Sequence, residues 1–198
     1  SIRGVDEDAS SADRLVAIAC DEDVVELFHS PGEEDARAFA TVTVGKIQKT
    51  WPVESKSFLH WITNEYLTRE DKAPPAQAKL DAIATITAKA VHQSPEHAIN
   101  VRVARHNGLV YVDLADEHWR VVEISKSGYR ILQPGDSPVR FVRFPGMEAL
   151  PVPEPGGDVM DIGGFVNLPT RDEVVLFVCF LAACLWPEGP YPILLVTG

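Results

Sequence analysis

The chain has 198 residues, of which 45% are hydrophobic, and this is enough for one large domain or two small ones with real cores. Its 29 Asp and Glu residues outnumber its 18 Lys and Arg residues, and the net charge of −11 excludes a protein whose whole surface coats nucleic acid. The three cysteines fit neither a disulfide framework nor a C-x-x-C zinc motif. This cysteine pattern indicates a reducing compartment, and acidic residues stand where a signal peptide would carry basic ones, so we expect a cytoplasmic protein.

The first half of the chain predicts a helix, a hairpin and a pair of helices. SSADRLVAIAC can form a short helix that is capped by Ser10 or Ser11. ARAFATVTV and KIQKTWPV alternate around Gly45, which is typical of a β-hairpin. SKSFLHWITNEYL and AQAKLDAIATITAKAVHQ then place their apolar residues at helical spacing.

After Pro95 the hydrophobic period changes from 3.6 to 2, which predicts an antiparallel meander. HNG is a strong hairpin turn between two alternating runs, and WRVVEI, GYRIL and VRFVRF continue the pattern. We expect the following residues to be mostly buried: Val101, Val103, Val110, Val112, Leu114, Val121 and Ile124.

A Pro- and Gly-rich link, FPGMEALPVPEPGGD, joins this meander to an apolar C-terminal region. Val174 to Trp186 is an apolar stretch of 13 residues, and a bilayer span needs about 20, so we expect a buried helix and no membrane partner. The alternative is an interface segment, for contact with another copy of the chain, or a membrane-associated segment. Ile193 to Val196 reads as a buried strand.

The predicted fold class is therefore α+β: an antiparallel β-meander with a preceding helical pair and a C-terminal buried helix plus strand. We divide the chain into an acidic helix and hairpin at 1–54, the helical pair and central sheet at 55–144, and the link, apolar helix and strand at 145–198.

Residues 99–144 carry seven basic and five acidic residues, a net charge of +2, whereas both ends of the chain are acidic. Arginines interleaved with aromatic residues on one sheet face suit phosphates and unstacked bases, so DNA or RNA is a candidate partner. The alternative is the ordinary polar outer face of a half-buried sheet. The candidate nucleic-acid-binding residues are Arg102, Arg105, Arg120, Arg140, Arg143, Tyr111 and Trp119.

DLADEH places three carboxylates, Asp113, Asp116 and Glu117, after a predicted strand. Carboxylates at a strand end can hold Mg²⁺ or Mn²⁺ for nucleotidyl transfer or nuclease chemistry. The alternative is a turn between two antiparallel strands, where Asp is favoured. The histidine spacings match no zinc signature, and no nucleophile motif is present, so we assign no catalytic residue.

Four stretches in fixed order carry a resemblance to a known group of proteins: HAINVRVARHNGLVYVDLADEHWRVVEISKSGYRIL, VRFVRFPGMEALPVPEPGG, FVNL and PYPILLVTG. Together they resemble the region directly upstream of the P-loop ATPase in large ATPases of prophages and mobile elements, which look like phage and plasmid primase–helicases. The resemblance covers roughly residues 46–198. The matching positions are Arg102, Val103, Ala104, Gly108, Tyr111, Asp113, Leu114, Trp119, Val122 and Ile124.

The resemblance implies an accessory nucleic-acid-binding or assembly domain of a replication ATPase, here without its motor. Gly198 stands where the first glycine of G-x-x-x-x-G-K-[ST] would be, and the Lys and Ser/Thr that grip phosphates are absent. We therefore expect no cofactor in this chain, with ATP and Mg²⁺ only where it continues past Gly198. A purely structural or oligomerising domain, which contacts the ATPase or other copies of itself, is the further alternative.

Overall fold

A computed structural model describes residues 9–32, 35–45, 47–133 and 135–195. The prediction of an α+β protein is confirmed, with 33% of residues in helices and 23% in strands. The chain divides into two compact units, residues 1–100 with 140–146 and residues 101–139 with 147–198. This division differs from the segments drawn at 54 and 144, because the N-terminal hairpin and the helical pair share one hydrophobic core.

Four α-helices and nine strands form the described chain, together with a 3-10 helix at Val159–Gly164. The helices are α1 Ser11–Ala19, α2 Lys56–Glu70, α3 Ala76–Gln93 and α4 Arg171–Ala183. The strands are β1 Val25–His29, β2 Ala38–Val44, β3 Ile47–Pro52, β4 Ile99–Asn100, β5 Val103–His106, β6 Leu109–Asp113, β7 Val121–Ser125, β8 Gly128–Leu132 and β9 Arg140–Phe141.

In the first unit, β1, β2 and β3 form an antiparallel sheet in that order, and one face of it packs against helices. Side chains alternate across a strand, so Val25, Ala40 and Val42 share this face. The helices supply the rest of the core: Leu15, Ile18, Phe58, Ile62, Tyr66, Ala82, Ile86 and Ala90. The predicted hairpin and helical pair are confirmed, and Lys46 of the hairpin turn lies outside the described residues.

The opposite face of this sheet holds a smaller cluster around Phe28. The Phe28 and Phe39 rings stack with centroids 5.6 Å apart, and Val142 and Ile99 pack against them. Ile99 belongs to β4, and Val142 directly follows β9, which pairs with β4 in parallel. The first unit therefore buries both faces of its sheet.

In the second unit, β5, β6, β7 and β8 form an antiparallel meander, as predicted. The prediction that VRFVRF continues it is wrong, because Arg140–Phe141 pairs in parallel with β4 in the first unit. Asn107 and Gly108 both have positive φ, 50° and 77°, as the turn between β5 and β6 requires of a type I′ hairpin. Val112, Leu114 and Val122 form its apolar cluster, with Val110 and Ile124 packed against them.

The expected burial of this segment is correct for most residues but not for all. Val112, Leu114 and Val121 are buried, and Val103, Val110 and Ile124 are half-buried. Val101 is 45% exposed, so its predicted burial is wrong. The reason is that β4 ends at Asn100 and β5 begins at Val103, so Val101 and Arg102 lie in a bend and not in one continuous strand.

The predicted C-terminal helix is confirmed, but its burial and the strand that was predicted to follow it are wrong. The helix is present and is capped by Thr170 and Glu173, but Val174 is its only buried residue. Residues 193–195 form no strand, and Ile193 is 94% exposed; Val196 lies outside the described residues. Apolar composition gives a preference for burial, but the described chain provides no second layer over these side chains. No helix in the described ranges is long and apolar enough to cross a membrane.

Candidate functional site

Arg102, the first candidate for nucleic-acid binding, holds two parts of the second unit together. Its guanidinium donates one hydrogen bond to the Asp113 carbonyl oxygen at 3.2 Å and another to the Glu148 carbonyl oxygen at 3.0 Å. The Asp113 N–H in turn donates to the Arg102 carbonyl at 2.9 Å. Arg102 therefore ties the end of β6 to the segment that follows β9.

Arg120 and Arg140 are also engaged by protein groups. The Arg120 Nε lies 2.6 Å from the Asp116 carboxylate, which accepts the Arg120 backbone N–H as well. Arg140 contacts both carboxylate oxygens of Glu26 at 2.5 and 2.6 Å, and its guanidinium lies 5.2 Å from the Phe28 ring centroid. Because each guanidinium already binds a carboxylate, fewer of its N–H groups are available to bind a phosphate.

The candidate nucleic-acid-binding residues belong to both units and differ in how far they are buried. Arg140 and Arg143 belong to the first unit, whereas Arg102, Arg105 and Arg120 belong to the second. Tyr111 is buried, Trp119 is half-buried with φ +56°, and Arg105 is exposed. Of the three predicted arginines in the second unit, Arg105 is the exposed one, so they do not form a shared exposed face.

The three candidate metal ligands form a turn. Asp113 is buried, and its carboxylate accepts the Ala115 N–H at 3.0 Å, where Ala115 has φ +53°. Asp116 pairs with Arg120, and the Glu117 side chain is largely exposed. Across the described ranges, no group of three His, Cys, Asp or Glu residues is placed to hold a metal ion. The arrangement fits the turn alternative.

A row of three polar side chains, one of which is Tyr111, crosses one face of the meander. Tyr111, Glu123 and Arg130 lie directly opposite one another on β6, β7 and β8. The Tyr111 hydroxyl donates to the Glu123 carboxylate at 2.9 Å, and Arg130 donates to both oxygens of that carboxylate at 2.5 and 3.1 Å. Sequence reasoning left out Glu123 and Arg130, although alternation with a known register would have paired them.

The row shifts the pKa of each member in the direction its contacts require. Hydrogen bonds from Arg130 and then from Tyr111 lower the pKa of Glu123 below its usual 4.5, although burial opposes the shift. Burial and the bond to Glu123 raise the pKa of Tyr111. The folded state therefore favours an ionised Glu123 and a neutral Tyr111.

Glu123→Gln should remove an acid-sensitive part of the stability. Because the folded pKa of Glu123 is depressed, its contribution is present above pH 4.5 and is lost as pH falls through the folded pKa. We expect the variant to melt at a lower temperature at pH 7 and to lose less between pH 5 and pH 3, roughly the range over which such a carboxylate titrates. Melting temperatures over this range measure both effects, and Glu117→Gln, at an exposed carboxylate, is the control. Identical acid profiles for wild type and Glu123→Gln would contradict the assignment.

Arg102→Ala should destabilise the second unit by about 1–3 kcal/mol, because it leaves two carbonyl acceptors without their donor. Lys126→Ala, at an exposed residue of the β7–β8 turn, should change the free energy of unfolding by less than about 0.5 kcal/mol. Urea unfolding of both variants measures the difference. Equal free energies of unfolding for the two variants would show that the Arg102 hydrogen bonds do not stabilise the second unit.

An uncovered apolar surface follows one side of α4 and the residues just after it. Its residues, which we call the α4 face, are Val175, Leu176, Cys179, Ala182 and Trp186, and all five are exposed. Val175, Cys179 and Ala182 recur at i, i+4 and i+7, which places them on one stripe of α4, and Trp186 follows three residues after the end of the helix. The opposite side of α4 meets the 3-10 helix through the buried Val174.

Two features surround the α4 face. The Arg105 guanidinium lies 4.4 Å from the Trp186 ring centroid, so a residue predicted for nucleic-acid binding contacts the edge of this face. No charged residue lies between Val174 and Trp186, whereas residues 145–198 carry seven acidic residues and one basic residue. An uncharged stripe of this length on a helix is typical of a protein-docking surface.

Comparison of the chain with protein-family models, with curated proteins and with solved structures finds no match.

Proposed function

We propose that this chain is an accessory assembly domain of a mobile-element replication ATPase of the primase–helicase type, acting in the cytoplasm. The α4 face carries the proposal, because it exposes large apolar side chains that a partner would cover. The order of sequence motifs supports the choice of partner, since it resembles the region upstream of a P-loop ATPase. The partner we propose is therefore that ATPase domain.

The energetics favour docking over a permanently exposed face. Full burial of a Leu or Val side chain stabilises by roughly 1.5–3 kcal/mol, and aromatic residues such as Trp are frequent anchors of interfaces. Leu176 and Trp186, both exposed, provide one anchor of each kind within the α4 face. Residues 174–186 contain no charged side chain, so docking on them requires no charged group of this segment to lose its water.

Nucleic-acid binding is a less favoured proposal for this chain. Arg102, Arg120 and Arg140 already bind carbonyl or carboxylate groups of the protein. Binding a phosphate would require these contacts to be exchanged, and the net charge of −11 repels the polyanion. Metal-dependent nucleotidyl transfer has less support again, because Asp113 and Asp116 hold turn groups.

The test is binding of the purified ATPase domain of the same element to the wild-type chain and to Val175→Glu/Leu176→Glu. We expect the double variant to bind at least about 100-fold more weakly, since two buried anchors would each contribute more than the 1.4 kcal/mol that corresponds to tenfold. Isothermal titration calorimetry measures both affinities.

Leu80→Glu is the matched control, because Leu80 is an equally exposed leucine on α3. It should bind like the wild type, and all variants should melt at similar temperatures because they change exposed positions. Equal affinities for the wild type and the double variant, or no binding by the wild type, would refute the proposed function.

A further inference from the structure

A groove of about 480 Å³ runs along the outer edge of β1 in the first unit. It lies between this edge and the C-terminal ends of α1 and α3. Its walls include Ala19, Cys20, Val25, Leu27, Lys89 and Gln93. A groove between an edge strand and a helix is a setting in which proteins bind extended peptides by strand addition.

The hydrogen-bond pattern shows which backbone groups of β1 face this groove. The Thr43 N–H donates to the Val24 carbonyl at 2.9 Å, and the Ser30 N–H donates to the Arg37 carbonyl at 3.0 Å. In an antiparallel pair the bonded positions alternate, so Glu26 and Phe28 bond to β2 as well. The residues between them direct their N–H and C=O groups away from β2: Val25, Leu27 and His29.

One end of this outer edge is already paired. The His29 N–H donates to the Pro95 carbonyl at 3.1 Å, and the His29 carbonyl accepts the His97 N–H at 2.9 Å. The Val25 N–H bonds to the Asp21 carbonyl at 2.8 Å. The N–H and C=O of Leu27 and the C=O of Val25 therefore point toward the groove, as the next positions of a ladder that residues 95–97 begin.

We propose that the β1 edge binds an extended segment of a partner protein as an added strand. The Leu27 N–H and C=O form the main-chain bonds to it. Val25 and Leu27 place their side chains on the helix side of the sheet, next to Ala19, so an aliphatic side chain of the segment fits there. The charged residues of the lining are Glu22, Glu26 and Lys89, and Glu26 is already paired with Arg140. The groove therefore selects extended backbone and shape more than net charge.

Two proline substitutions on opposite edges of the same sheet separate this role from general stability. Proline is tolerated at an edge where the missing N–H faces outward. Leu27→Pro removes the N–H that faces the groove without removing a β1–β2 bond. Gln48→Pro likewise removes an outward-facing N–H from β3 without removing a β2–β3 bond. The Val53 N–H donates to the Ala38 carbonyl at 3.0 Å, and because bonded positions alternate along the strand, the Gln48 N–H faces away from β2.

The experiment selects ten-residue peptides from a random phage-displayed library against the full chain and then titrates the synthetic peptides. We expect binding that Leu27→Pro weakens at least about tenfold, corresponding to a lost hydrogen bond and its unpaired acceptor. Gln48→Pro and the α4 variant Val175→Glu/Leu176→Glu should bind the peptides like the wild type. Peptide binding to the wild type should also slow hydrogen exchange at the Leu27 amide, which keeps the test valid if Leu27→Pro folds poorly.

Three results would overturn the proposal. They are the absence of any selected peptide that protects the Leu27 amide, equal binding by Leu27→Pro and the wild type, and protection of Leu27 without peptide in a concentration-dependent dimer. The last would assign the edge to a second copy of the chain. Because these readouts concern the first unit and the α4 variant serves as a control, failure here leaves the proposed function of the α4 face separately testable.

Discussion

Phe28→Ala should lower the free energy of unfolding of the first unit by about 3–5 kcal/mol, the range for truncation of a buried phenylalanine. Phe28 is fully buried, stacks on Phe39 at 5.6 Å and meets the edge of the His97 ring at 5.5 Å. Its ring also supports the Arg140 guanidinium, which is paired with Glu26. Removal of the ring would leave a cavity between the sheet and the strands β4 and β9 that cover it.

Urea unfolding followed by the fluorescence of Trp51 and Trp61, which pack on the core of the first unit, measures this loss. Phe165→Ala is the matched control, because the same atoms are removed from a residue that is 84% exposed. The control should change stability by less than about 0.5 kcal/mol. Equal effects of the two substitutions would mean that the Phe28 cluster does not stabilise the sheet.

The sequence alone was sufficient for several local elements, because each of them is encoded by neighbouring residues, but it did not predict β1 or the 3-10 helix. HNG needs two consecutive residues with positive φ, and Asn107 and Gly108 adopt them. Ser10 precedes α1 and forms a capping box with Asp13, three residues later. The alternation after Pro95 gave the meander, and the helical spacing gave α2 and α3.

Long-range partners could not be predicted in this way. Alternation indicates which face Arg102 shares, but its acceptor at Glu148 is 46 residues away. The row Tyr111, Glu123 and Arg130 depends on the register of three strands, and a shift by one residue would separate them. Three of the arginines that were predicted to bind phosphates, Arg102, Arg120 and Arg140, are instead bonded to carbonyls or ion-paired, and the sequence does not show these partners.

The residues that carry the resemblance have structural roles in the hairpins of the second unit. Gly108 forms the turn, Asp113 fixes the backbone of Ala115, and Val122 and Ile124 belong to the apolar cluster. Tyr111 anchors the polar row. These roles account for the motif as a folding pattern, so the motif by itself gives no reason to place a catalytic centre at this end of the meander.

The burial of the C-terminal helix was mispredicted, because hydrophobicity does not identify what covers a surface. Val174 to Trp186 reads as a core helix from its composition, yet only one of its sides meets the 3-10 helix. Its outer side has the same apolar character and no cover within the described chain. An error of this kind is expected at interaction surfaces, since a docking helix must be apolar on more than its core-facing side.

Leu114→Ala and Leu176→Ala should therefore separate core from docking surface within the second unit. Leu114 is buried in the apolar cluster, its N–H bonds to the Arg120 carbonyl at 3.1 Å, and its carbonyl accepts the Leu150 N–H at 2.8 Å. Truncation there should cost about 2–5 kcal/mol of unfolding free energy, through lost burial and the cavity left behind. The same truncation at Leu176, which is 69% exposed, should cost less than about 0.5 kcal/mol.

The two variants should show the reverse order in binding the ATPase domain. Leu176→Ala removes part of a proposed interface anchor and should weaken binding about tenfold, since a truncated anchor costs more than about 1 kcal/mol. Leu114→Ala, assayed at a temperature where it remains folded, should bind like the wild type, because its side chain is absent from the surface. Urea unfolding and calorimetric titration of the same protein samples give both quantities. A large loss of stability from Leu176→Ala would instead return α4 to the core and remove the basis for an assembly role.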